Sequence, residues 1–294
     1  MIYERRSGVP LLKDLTVNDS WVRKTYVEIA KAGRELARFD FDDSSVILRA
    51  NQLQENILSS LPQVGAVARP VDEGKVSEVR DFIAEEKSGL IVMRHGIQFV
   101  EDEERGRLTG AARKIRLMQS PYNSKDPASA QSLAEVASMG IILMHLGKKM
   151  QLPVTILSSA NVRAADMGGV MSVVNGFRVE IDDRLTCVNY PTNRSDEELE
   201  ALLGRDNVGA LTWKKEILDS VCGDGTFKTI DSDMRTMIDA HTGTKGLTIL
   251  ITHTPQTNAA DVIAGDIPMR MPELGFRVFN GDSSKRFMGN IFAA

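Results

Sequence analysis

Three polar segments each follow directly on a short apolar run. Arg94-His95-Gly96 comes after Leu90 to Met93, Ser158-Ser159-Ala160-Asn161-Val162-Arg163 after Val154 to Leu157, and Thr252-His253-Thr254 after Leu247 to Ile251. If the runs are strands of one parallel sheet, all three segments emerge at its carboxyl end, where open α/β sheets bind their ligands. Two histidines and two arginines are then expected to converge there. Such a set suits a phosphate monoester. A neutral imidazole at His95 can attack phosphorus in line, while the planar, permanently charged forks of Arg94 and Arg163 hold the equatorial oxygens. His253, if protonated, adds a donor, and Thr254 beside it completes the substrate-binding set. Gly96 is expected to let the chain turn sharply and present a backbone N–H to the anion. Phosphoryl transfer asks mainly for positioning and charge stabilisation, so these residues call for no metal and no cofactor.

The other chemistry-bearing residues read differently. His145, in Met144-His145-Leu146, falls on a helix where a packed or half-exposed role suffices, and His241 falls near a helix end where it can meet the dipole. Neither has the paired spacing of a metal-ligand set. Cys187 and Cys222 form no C-x-x-C pair, have no evident basic neighbour and read as small packing residues. The acidic run Glu101-Asp102-Glu103-Glu104 reads as a solvated loop that nevertheless follows Arg94-His95-Gly96 closely. Asp102 or Glu101 is therefore the first choice for a carboxyl that folds over the site and protonates a leaving alcohol; Asp182 and Asp183 are the alternatives. Gly168-Gly169 reads as a close-packing feature.

The elements that must position these residues follow from periodicity. Val22, Tyr26, Ile29 and Leu36 recur at helical spacing behind a cap at Asp19 or Ser20. A second helix is expected over residues 44–61, ended by Pro62. A third is expected over 72–87, with Val76, Val79 and Ile83 on one face and Gly89 as its C-terminal cap. From Gly89 onward, short apolar strands alternate with longer amphipathic stretches, at 108–119, 128–150 and 162–174, the pattern of a mostly parallel α/β sheet with flanking helices. Phe276 to Phe279 is expected to be a strand, with Asn280-Gly281-Asp282 turning into a last short one. The chain thus divides into a helical N-terminal extension, 1–88, packing on a catalytic unit, 89–294. The extension carries no convergent polar set, so its expected roles are to shape access to the site or to make a homodimer.

Composition narrows the partners. The 294 residues are 42% hydrophobic and 26% charged, the balance of an ordinary globular protein. A net charge of -4 argues against a surface built to neutralise nucleic-acid phosphates, so an anion site must be local. No apolar run approaches the roughly 18 residues that span a bilayer. The N-terminus, MIYERRSGVP, has no apolar signal segment, so the sequence reads as cytoplasmic.

Taken in order, four segments resemble motifs of the histidine phosphatase superfamily, the phosphoglycerate mutase-like fold. Leu90 to Gly96 looks like its strand followed by R-H-G. Leu108-Thr109-Gly110-Ala111-Ala112-Arg113 is similar to its L-T-x-x-G-R helix start, with Ala112 in place of glycine. Leu157-Ser158-Ser159-Ala160-Asn161-Val162-Arg163-Ala164 looks like its S-S-x-x-x-R-A segment. Ile251-Thr252-His253, followed by Thr257-Asn258, resembles its second histidine motif. The resemblance spans roughly residues 89 to 294. It implies that His95 becomes transiently phosphorylated, that Arg94, Arg163 and His253 bind the phosphoryl group, and that water then attacks phosphohistidine. The two-histidine, two-arginine set and the lack of a nucleic-acid-like charge point to a small phosphorylated metabolite as substrate, a sugar phosphate first and a phosphoprotein second. A phosphomutase of the same fold and a catalytically silent phosphate-binding protein are the alternatives. The chain departs from the family at Cys187, which stands where an R-L-x-E glutamate is common, at Asp166-Met167-Gly168-Gly169, and at Thr254-Pro255.

Overall fold

No side of Leu90-Ile91-Val92-Met93 is polar, so a strand built on it needs cover on both faces. In the computed structural model this strand, Ser88–Arg94, is buried along its whole length between two neighbours. Leu90 and Val92 enter one apolar layer with Leu157, Leu250 and Met234; Ile91 and Met93 enter the other with Ile156, Ile249 and Ile251. Burying each such side chain contributes about 1.5–3 kcal/mol before entropy is counted, so this central strand anchors the site that follows it.

The structure describes residues 3–4, 31, 41–60, 67–85, 88–96, 128–175, 179–186, 213–268, 271–279 and 286–293. In chain order their elements are β1 (Tyr3–Glu4), α1 (Asp43–Ser60), α2 (Glu73–Ala84), β2 (Ser88–Arg94), α3 (Ala130–Met150), β3 (Val154–Ser158), α4 (Val162–Asn175) and β4 (Val179–Ile181). After a 3-10 turn at Asp183–Leu185 come α5 (Lys215–Cys222), α6 (Thr226–His241), β5 (Gly246–Thr252), α7 (Thr254–Ile263), β6 (Phe276–Phe279) and β7 (Arg286–Gly289). The strands form one seven-stranded sheet in the order β1-β4-β3-β5-β2-β6-β7. The first five in that order are mutually parallel, and β6 joins antiparallel to β2. The fold is therefore α/β, a mostly parallel sheet with flanking helices.

Two layers cover the sheet. On one side α3 runs beneath α1, whose buried positions Val46, Ala50, Leu53 and Ile57 recur at helical spacing. Ser138 Oγ on α3 donates to the Ala50 carbonyl at 2.8 Å. Val76, Val79 and Ile83 of α2 are buried on the face expected for them, and the Asp72 side chain accepts from Lys75 N at the helix start. On the other side α6 inserts Ile230, Met234, Met237 and Ile238 against β2, β5 and α7.

Several expectations are corrected in detail. Gly89 is not a helix cap: α2 ends at Ala84 with Glu85 at its cap, and Gly89 sits in the β2 ladder opposite Leu247. A Cβ there would meet Leu247 Cδ1 of β5 at 3.3 Å and Ile83 Cγ1 of α2 at 3.4 Å, so glycine serves close packing of the strand against both. The ladder also draws in flanking residues that are not apolar, which lengthens β2 to Ser88–Arg94 and β5 to Gly246–Thr252. Strands β1 and β4 were not expected; at two and three residues they are too short to show a period. The expected helix near 19–36 is described only at Lys31, which is helical; the one at 108–119, Pro62 and the 280–282 turn lie outside the described residues.

Candidate active site

Parallel connection puts the carboxyl ends of β2, β3 and β5 side by side, and register does the rest. Arg94 lies opposite Thr252, and Ser158 opposite Ile251. His95 N donates to the Thr252 carbonyl at 2.9 Å and Ser159 N to the Ile251 carbonyl at 2.9 Å, which carries the ladder one residue past each strand. Helices α3, α4 and α7 all begin at this end. Their N-terminal dipoles favour negative charge between them.

Arg163, on the first turn of α4, lies between the two histidines. Its Nε donates to His95 Nε2 at 3.2 Å and its Nη2 meets His253 Nδ1 at 3.2 Å. The two imidazole centroids are 4.7 Å apart. All three side chains are nearly sealed, at 8% exposure for His95, 4% for Arg163 and 2% for His253.

A guanidinium can only donate, and this assigns both tautomers. His95 Nε2 accepts from Arg163, so its proton is on Nδ1, where the Gly96 carbonyl accepts it at 2.6 Å. His253 Nδ1 accepts from Arg163, so its proton is on Nε2, where Ser159 Oγ accepts it at 2.9 Å and the Asn161 carboxamide lies 3.2 Å away. Ser159 is held in turn by Thr186: Ser159 Oγ reaches Thr186 Oγ1 at 3.4 Å, and Ala160 N donates to the same oxygen at 3.0 Å. Burial first, then Arg163 and Arg94, push His95 well below the usual histidine range; burial, Arg163 and His95 do the same to His253. Both rings are neutral at physiological pH. In this state His253 donates through Nε2 to Ser159 Oγ and accepts from Arg163 through Nδ1.

Arg94 takes a different direction. Its Nη1 donates to the Met271 carbonyl at 2.6 Å and its Nη2 pairs with Glu273 Oε1 at 3.0 Å, both in the turn before β6. Gly96 N donates to Met167 Sδ at 3.0 Å. The need for glycine there is steric: a Cβ would fall 2.4 Å from Ser132 Oγ at the start of α3. Thr254 is half-buried at the first position of α7, with Pro255 behind it. Glu101, Asp102, Cys187 and the 108–113 motif lie outside the described residues. Asp182 caps the 3-10 turn and is engaged through both oxygens by Arg184 at 2.9 and 2.5 Å, whereas Asp183 is exposed. His145 pairs with Asp43 at 2.7 Å and His241 ends α6, both away from the site.

Sequence reading passed over Ser159, Asn161 and Thr186 as the residues that orient His253, although Ser159 and Asn161 stood inside a quoted motif. It also missed Met271 and Glu273, which no spacing connects to Arg94. In the sequence Asp166 stands as a departure from the family pattern and as a carboxylate near enough to pair with Arg163. It is fully buried one helical turn after Arg163, and burial pushes its carboxyl up to about 7 against the opposing effect of the Ala128 N–H. The folded protein thus keeps a proton on Asp166 between pH 3.8 and about 7 that the unfolded chain releases, so stability falls as pH rises through that window. The two depressed histidines act in the opposite sense, costing stability as pH falls below about 6.5. Asp166→Asn keeps an acceptor for Ala128 and is expected to match the wild type near pH 4. Near pH 8 it is expected to be more stable by on the order of a few kcal/mol. Thermal midpoints at both pH values check this; a gap independent of pH would contradict it.

Among the described residues no group of three or more His, Cys, Asp or Glu side chains is placed to hold a metal ion, and no helix is long and apolar enough to cross a membrane. No protein-family model matches the sequence, and no curated protein does. Solved structures give low-identity likenesses. The mycobacterial glucosyl-3-phosphoglycerate phosphatase is 16% identical with a TM-score of 0.45, over 70% of this chain and 99% of that one. A phosphoserine phosphatase from Entamoeba histolytica, in complex with 3-phosphoglyceric acid, is 12% identical with a TM-score of 0.44, over 70% and 98%. A putative alpha-ribazole-5'-P phosphatase from Escherichia coli is 12% identical with a TM-score of 0.43, over 70% and 96%.

Proposed function

We propose that the protein is a phosphomonoester hydrolase that works through a phosphohistidine on His95 and acts on a small phosphorylated metabolite. One observation carries the reading: the His95 proton is tied to the Gly96 carbonyl on Nδ1, so Nε2 presents a lone pair, and a buried guanidinium lies against it. An arriving phosphoryl group takes over the Arg163 N–H donors and frees that lone pair. The Nε2–P bond forms as the P–O ester bond breaks, and the departing electron pair goes to the ester oxygen, which takes a proton from a carboxyl. Water then gives a proton to the same carboxylate and attacks phosphorus, the N–P bond breaks, and inorganic phosphate leaves. Arg163, Arg94 and the N-termini of α4 and α7 supply the opposing charge and donors, and His253, whose Nε2–H goes to Ser159 Oγ, holds Arg163 through Nδ1.

The carboxyl is proposed to be Asp102 or Glu101, a few residues after Gly96 in the sequence. Asp182 is committed to Arg184 through both oxygens, which supports the choice. A general acid typically contributes about 10²- to 10⁴-fold with a poor leaving group and little with an activated one. Asp102→Asn or Glu101→Gln should therefore lose activity on alkyl phosphates while p-nitrophenyl phosphate hydrolysis is largely spared. If both keep full activity while Asp182→Asn or Asp183→Asn loses it, the donor is after β4.

The test of the function is a panel of phosphoesters, sugar phosphates first, assayed with chelator present from about pH 4 to about pH 9, a window that brackets carboxylate and histidine titration. Release of inorganic phosphate supports the reading. An isomerised phosphoester among the products would make the protein a phosphomutase. Cys187 at the family's glutamate position favours a second reading, a silent phosphate-binding protein; binding of phosphate or vanadate with no turnover on any substrate would establish it.

A further inference from the structure

The turn from Met271 to Gly275 holds Arg94, and something must hold the turn. Met271 and Glu273 take the two terminal guanidinium nitrogens, and the Gly275 carbonyl accepts from Arg94 N at 3.0 Å. Inside the turn Leu274 is in the left-handed region at φ 59°, a conformation that costs a residue with a Cβ roughly 1–2 kcal/mol and survives only where the surroundings impose it. Leu274 is fully buried, and Gly275 is packed so closely that a Cβ would fall 2.8 Å from Met271 Cγ.

The remaining restraint comes from outside the sheet. Arg69 precedes α2 and donates through Nη2 to the Glu273 carbonyl at 3.3 Å. Arg69 is itself locked: its backbone N, its Nε and its Nη2 bind the Glu135 carboxylate at 2.9, 3.1 and 2.8 Å, and its guanidinium lies 5.1 Å from the Phe292 ring centroid. Glu135 is on α3 with a side chain only 1% exposed, and Gln131 Nε2 adds a donor at 3.1 Å. A carboxylate so deeply buried is weak evidence for stability, because an apolar pair of similar volume would often do as well. Its geometry does have a consequence: the Arg69 fork, held bidentately by Glu135 of α3, reaches the carbonyl of the residue whose carboxylate orients Arg94.

We propose that Arg69, Glu135 and Glu273 are positioning residues that fix the direction of the Arg94 guanidinium, so that residues preceding the central strand control anion affinity at the site. This rests on the reading of Arg94 as a phosphate ligand. Glu273 sets the direction of the fork, and Arg69 with Glu135 sets the place of Glu273. The Arg69 link gives the segment before α2 a role in binding although it touches neither histidine.

Arg69→Met together with Glu135→Gln removes both charges and leaves no lone buried ion. Dissociation of inorganic phosphate and of vanadate is measured by calorimetry, beside kcat and KM on the best phosphoester. The double variant should bind both anions about 3- to 30-fold more weakly, the range of energetic coupling through a packed network. Made in an Arg94→Ala background, the same pair of changes should add nothing, because the relay would then have no target. Equal losses in both backgrounds would mean general loosening and would overturn the proposal, as would unchanged affinity. Should the double variant fail to fold, Glu273→Ala, at a partly exposed side chain, carries the test: it should lower anion affinity to a similar extent, and Glu273→Gln, whose amide oxygen still accepts from Arg94, should restore most of it. Unchanged affinity in Glu273→Ala overturns the proposal. A wild-type protein that binds neither anion refutes the phosphate site itself, and the relay with it.

Discussion

His95→Ala is expected to lower turnover by at least about 10⁴-fold on every phosphoester the wild type accepts, the scale of losing the nucleophile from a group of residues that act together. The loss should appear in kcat for activated and unactivated leaving groups alike, because no N–P bond can form in either case. That separates His95 from the proton donor, whose removal spares p-nitrophenyl phosphate. The fold should survive. His95 follows the end of β2 and contributes its Nδ1–H to Gly96 and its Nε2 to Arg163, not apolar volume to either side of the sheet. A ring that burial and two arginines hold neutral is also a liability at acid pH, and its removal relieves it. Thermal stability should therefore change by no more than about 1–2 kcal/mol at neutral pH. Turnover within a factor of a few of the wild type would show that another residue attacks phosphorus.

Arg163→Ala carries the second largest expected effect. One guanidinium serves both histidines and the incoming anion, so phosphate affinity and the chemical step should weaken together, with kcat/KM reduced about 10²- to 10³-fold or more, the cost of one preorganised donor to developing charge. A second signature follows from electrostatics. Arg163 is the largest charge depressing both histidines. Without it their values rise toward the ordinary range, and the acid limb of the pH–rate profile should move to higher pH. Arg163→Lys keeps the charge but not the fork that spans two rings, so it should hold the acid limb near its wild-type position while losing most of the activity. An Arg163→Ala variant with unchanged kinetics and an unchanged acid limb would show that this guanidinium does not serve the reaction.

The parts of this molecule legible in the sequence are those with an unambiguous period or position. The runs at Leu90, Val154 and Leu247 are strands because each is apolar and bounded, and the residues that follow them meet because parallel strands bring their carboxyl ends together. Val76, Val79 and Ile83 were readable as a helix face for the same reason. What the sequence hides is contact between distant segments. Met271 is 177 positions from the Arg94 it restrains, and nothing in Met271-Pro272-Glu273 marks it as part of a site. Gly96 was recognised as necessary, but the reason, Ser132 pressed against its Cα, belongs to packing that no tripeptide encodes. Gly89 misled because a glycine after a helical period is as consistent with a cap as with a strand, and only its pairing with Leu247 separates the two. The tautomers of His95 and His253 depend on which ring nitrogen faces Arg163, a fact of three-dimensional geometry.

The most direct measurement of the central claim is chemical trapping of the intermediate. The protein is mixed with a phosphoester, quenched within the first turnovers under alkaline conditions that preserve phosphoramidates, digested and sequenced by mass spectrometry. A phosphoryl group is predicted on His95, lost on brief acid treatment, absent from His95→Ala, and discharged as inorganic phosphate when quenching is delayed beyond substrate exhaustion. Phosphate released steadily with no phosphoryl group on the chain at any time, or a phosphoryl group found on a residue other than His95, would contradict the mechanism.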